Sequence, residues 1–155
     1  MPLTSSDKKD YILRLIEQMR RLVEALLHKV RDGEESQAAL ADARVTLSQM
    51  LGPLAGIAPR MDSVTAGQMV GDPDVLGAWA ELVSAEAEIA STHGDIDAAA
   101  ASRRRALELA IEAHLRTPSD RPELLALIER LRPAVAGHAL APRHADALAD
   151  LDESA

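Results

Sequence analysis

Apolar residues recur along this chain three and four positions apart, the repeat of an amphipathic helix. From Asp10 to Arg31, the residues Ile12, Leu13, Leu15, Ile16, Met19, Leu22, Val23, Leu26, Leu27 and Val30 fill about half of a helical cylinder. Arg14, Glu17, Gln18, Arg21, Glu24, His28 and Lys29 fill the other half. A stripe that wide needs more than one neighbour. Within it, Ile12, Ile16, Met19, Val23, Leu26 and Val30 step alternately by four and three, the seam of a short coiled coil and so a candidate self-association surface. Burial of the same stripe in an intramolecular bundle is the competing reading. Asp32-Gly33 supplies a stop, and a second helix is expected over 34–51, closed by Gly52-Pro53.

Residues 53–72 are rich in proline and glycine and read as a poorly ordered connector, with at most one short helix begun by Asp62 or Ser63. Further helices are expected over 73–92, where Pro73 supplies its fixed φ to the first turn, over 97–115 and over 120–132. The turn His93-Gly94-Asp95 separates the first two of these, His93 acting as a cap. Asp120 and Glu123 have the spacing of a capping box, and Pro133 should end the last helix. The expected organisation is one helical domain over 8–135, followed by a disordered acidic tail over 136–155.

Composition agrees with an all-α fold of antiparallel helical hairpins, about five helices in number. The chain has 155 residues, with 29 alanines, 22 leucines, one tryptophan, one tyrosine and no phenylalanine, so Ala and Leu must build the core. The absence of cysteine removes thiol nucleophiles, disulfides and thiolate metal ligands. The net charge of -8 is concentrated in an acidic middle third, which argues against wrapping nucleic acid. With no apolar leader and no run long enough for a membrane span, the expected location is cytoplasmic.

The segment Ala80 to Glu112 resembles one tetratricopeptide repeat. Ala80, Ala87, Gly94, Ala99 and Ala106 stand at the offsets where that family places small residues, and a Gly-Asp-Ile-Asp turn joins the halves. Small residues there let two helix axes approach closely. Arg103 and Ile111 depart from the pattern, and no second copy follows. The opening Asp10-Tyr11-Ile12-Leu13-Arg14-Leu15-Ile16-Glu17-Gln18-Met19, followed by such hairpins, resembles a family of uncharacterised bacterial proteins over residues 8 to about 132. That resemblance implies an all-helical fold and a bacterial origin, and brings no assigned catalytic residues with it. In a tetratricopeptide register, Glu81, Ser84, Glu88, Ser91 and Thr92 would line a peptide groove, and the two glutamates would favour a basic or amide-rich peptide. A solvated polar face is the plainer alternative.

Other chemistry finds little purchase. Arg103, Arg104 and Arg105 fan around a helix rather than forming one phosphate-binding stripe, and Arg104 stands four residues before Glu108 as an ion-pair partner. His28, His93, His114, His138 and His144 offer no metal-binding spacing, so neither a metal nor a cofactor is expected. Asp10, Glu17 and Glu24 dilute the basic face of the first helix and argue against membrane association through it. The resulting expectation is a noncatalytic protein–protein interaction module with a protein partner or a second copy. The rival is an enzyme or small-molecule-binding protein with its site under the 53–72 connector.

Overall fold

The computed structural model describes residues 4–135 and 140–154. Helix α1 (Ser5–Arg31) begins earlier than the apolar pattern, because Thr4 and Asp7 close a reciprocal capping box ahead of it. It is followed by α2 (Gln37–Leu51), α3 (Ser63–Val70), α4 (Pro73–Thr92), α5 (Ile96–Leu115), α6 (Pro122–Leu131) and α7 (Pro142–Ser154). Among the described residues there is no strand, so the fold is all-α with seven α-helices.

Helices α4 and α5 form the central antiparallel hairpin, and the other elements divide between them. The α1–α2 hairpin packs on α4, while α3, α6 and α7 pack on α5. Ala80, Ala87, Ala99 and Ala106 are all buried, which lets the two central axes approach. The tight turn between them places Gly94 at φ +77°, a left-handed conformation that glycine adopts without steric cost. His93 is the C-cap of α4, and the Asp95 carboxylate accepts the Ala98 amide to start α5. The core between α1, α4 and α5 is built from Met19, Leu26, Leu76, Leu82, Leu107, Leu109 and Ile111, with Trp79 as its one tryptophan.

Three expectations are revised. The 53–72 connector is built structure: two 3₁₀ turns at Gly52–Leu54 and Ala58–Arg60 precede α3, and Ala58, Ser63, Ala66 and Gly67 are buried. Asp62 nucleates α3 by accepting both the amide and the hydroxyl of Thr65, at 2.9 and 2.8 Å. Second, α6 starts at Pro122 after Arg121, without a side-chain cap, and Glu123 lines a surface recess instead. Third, residues 142–154 of the expected tail are helical and dock on α5 through His144 and Ala147. Residues 136–139 and 155 of that tail, including His138, lie outside the described residues.

Candidate functional site

Helix α4 is flanked by α1 on one side and approached by α6 on the other, and between these walls runs a charged trough. Its floor is Gly77, Ala78, Glu81 and Ser84, spaced so that they share one face of α4. The α1 wall presents Ile16, Arg20, Val23, Glu24 and Leu27, and the α6 wall presents Glu123, Leu124, Leu127 and Arg130. The trough has two recesses, of 370 and 70 Å³, which share Arg20, Glu81 and Glu123. At its narrow end Arg121 pairs with Asp74, so these two charges neutralise each other.

Glu81 occupies the middle of the floor. Burial pushes its carboxyl above the ordinary carboxylate range; Arg20 and Arg130 pull it back, and Glu123 and Glu24 reinforce the rise. Glu81 itself closes no hydrogen bond or ion pair among the described residues. No described side chain of the fold donates to this half-buried carboxylate, and its oxygens stay open to a donor from outside the chain.

A second polar cluster lies where α3 and α7 pack on α5. The Glu112 side chain is 0% exposed, yet it accepts from Arg116 Nη1 at 2.7 Å, Arg143 Nε at 2.9 Å and His144 Nε2 at 2.7 Å. His144 is itself 1% exposed, and its Nδ1 has no hydrogen-bond partner, which places the ring proton on Nε2 as the donor to Glu112. Burial alone would raise the Glu112 carboxyl, but the hydrogen bonds from Arg143, Arg116 and His144 outweigh it and hold the group below the ordinary range. Gly67 of α3 completes the enclosure: a Cβ there would stand 2.8 Å from Glu112 Oε1. The cluster ties α3, α5 and α7 together, and Glu112 fills the space beneath Gly67.

A third cluster involves the arginine run. Arg105 lies over the Trp79 ring at 5.1 Å from its centroid and donates to Ser63 Oγ at 2.9 Å, while Ser63 donates to Glu108 at 3.0 Å. Arg104 pairs with Glu108 at 3.5 Å, as its spacing implies. Arg105 is therefore built into the packing of α3 against the central hairpin.

The sequence-derived sites fare unequally. Of Glu81, Ser84, Glu88, Ser91 and Thr92, only Glu81 and Ser84 face the trough. Glu88 pairs with Arg31 at 3.9 Å, Ser91 is exposed, and the Thr92 hydroxyl donates to the Glu88 carbonyl. Of the α1 seam, Ile16, Met19, Val23 and Leu26 are buried in the chain's own core, with Ile12 and Val30 half-buried at its ends. The wall residues Arg20, Glu24, Glu123 and Arg130 were missed. Their signal was the i, i+4, i+7 series Arg20-Glu24-Leu27 and Glu123-Leu127-Arg130, each one face of a helix, but nothing in the sequence says that these faces meet. Among the described residues no group of His, Asp and Glu side chains could hold a metal ion, and no helix is long and apolar enough to cross a membrane. Set against known protein families, curated proteins and solved structures, the chain matches none.

Proposed function

We propose that this chain is a noncatalytic helical protein–protein interaction module whose trough along α4 receives a segment of a partner protein. The observation that carries this reading is Glu81, a half-buried carboxylate without a donor at the centre of a recess walled by two helices. The α4–α5 hairpin adds support, since buried Ala80, Ala87, Ala99 and Ala106 are what a tetratricopeptide-like hairpin requires, and in that reading the trough floor belongs to the groove-lining helix. A second copy of the chain is a weaker candidate for the occupant, because the α1 seam that suggested it is consumed by the core.

Panning a random dodecapeptide display library, with the binding site then mapped by heteronuclear NMR, tests the proposal. Selected peptides should perturb the amides of Ala78, Ser84 and Leu127 and leave exposed Val45 on α2 unchanged. Failure to select any peptide, or perturbations centred elsewhere, would overturn it.

A further inference from the structure

The chemistry of the trough narrows what its occupant must bring; this step rests on the interaction reading just given. With Asp74 and Arg121 satisfied by each other, the remaining trough charges are Glu24, Glu81 and Glu123 against Arg20 and Arg130. Carboxylates are in excess, and Glu81 is the most buried of these five charged residues. Arg20 and Arg130 are close enough to act on Glu81 through space, but neither forms an ion pair with it.

The rest of the lining suits a long cationic side chain. Ile16, Ala78 and Leu124 line one recess and Val23, Leu27 and Leu127 the other, so apolar surface borders the buried charge on both walls. Lysine and arginine carry an aliphatic stem beneath a charged head and cover apolar surface while their cation reaches a polar group. A guanidinium also offers donors in a fork that fits a carboxylate. An acidic side chain would meet Glu81 at the floor and Glu24 and Glu123 at the walls.

From this arrangement we infer that the trough recognises a partner segment through one basic side chain, its stem against Leu124 and Leu127 and its cation on Glu81. Binding then depends on pH in a defined direction. The groups facing Glu81 are Arg20 and Glu24 from α1 and Glu123 and Arg130 from α6. Protonating Glu81 removes the anion, so affinity falls as pH drops through a value above 4.5, the ordinary glutamate value.

The test uses the full chain and a blocked alanine-rich heptapeptide carrying a central arginine, beside the same peptide with citrulline, which keeps shape and loses charge. NMR titration follows the Ser84 and Leu127 amides and the Glu81 carboxylate carbon. The arginine peptide should bind roughly ten-fold tighter than the citrulline peptide, the difference of one charge-assisted contact. Saturation should lower the Glu81 pKa, and Glu81→Gln should erase the preference while the protein stays folded. Equal binding of both peptides within the trough would overturn the basic-anchor inference and leave the interaction reading standing. Shifts confined to surfaces outside the trough would overturn both.

Discussion

Replacing Glu112 by glutamine keeps the shape of the side chain and removes the charge on which two arginines and a histidine converge. Breaking a buried ion pair by neutralising one partner costs roughly 3–5 kcal/mol. Here the cost is reduced, because Arg143 and Arg116 side chains are 46% and 19% exposed and can turn toward water, whereas His144 cannot. The glutamine oxygen still accepts one hydrogen bond, worth about 1 kcal/mol. A net loss of about 2–3 kcal/mol follows, which at a urea dependence of roughly 2 kcal/mol per molar moves the unfolding midpoint down by about 1–1.5 M. Trp79 fluorescence reports the transition from the buried centre of α4, and circular dichroism checks that helix and tertiary structure are lost together. Glu129→Gln is the control, since its pairing with Arg132 is on the surface and should matter by less than about 0.5 kcal/mol. The folded-state pKa of Glu112 is depressed, so its stabilisation is complete above about pH 4.5 and disappears as pH falls through the folded value. The acid-side decline of the parent should therefore be shallower in Glu112→Gln. A midpoint shift no larger than that of Glu129→Gln would refute the assignment of Glu112 as the tie between α5 and α7.

Glu81 predicts the opposite pH signature. Its folded pKa is raised, so ionising it costs the folded state stability as pH rises; Glu81→Gln should melt higher than the parent at pH 7, with the difference closing toward pH 4.5, and a pH-independent difference would contradict this. Gly67→Ala should destabilise by about 1–3 kcal/mol in urea titrations, because the added methyl must displace the Glu112 carboxylate; wild-type stability would show that α3 can lift away freely. Arg105→Met keeps a comparable stem but loses the ring contact and the Ser63 hydrogen bond, an expected cost of about 1–2 kcal/mol with a shift in Trp79 emission. An unchanged emission spectrum would place the guanidinium away from the ring.

What could be read from the sequence follows the strength of hydrophobic patterning. Helix α1, the α4–α5 hairpin and the all-α class were legible because long apolar stripes and well-placed alanines specify them locally. Residues 53–72 were misread because their buried members, Ala58, Ser63, Ala66 and Gly67, are small and lie among prolines and glycines. Such residues look like linker until one knows that α5 lies beneath them. The tail was misread for a related reason: α7 buries chiefly a histidine and an alanine, and the carboxylate that holds it lies two helices earlier. For the trough, each wall was visible as a helical face, but that α1 and α6 border the same face of α4 is a tertiary fact without a local signature.

Gly67 and Glu112 are coupled across the fold by a lack of space, and this constrains how the sequence can drift. Glycine at 67 is tied to the length of the side chain at 112, since a methyl group and a glutamate oxygen would claim the same volume. Shortening Glu112 to aspartate would relax that demand and make alanine acceptable at 67, but would draw the carboxylate away from Arg143 and His144 on α7. The two positions, together with the pair on α7, should therefore change as a set in any diverging lineage, with glycine at 67 persisting wherever glutamate persists at 112.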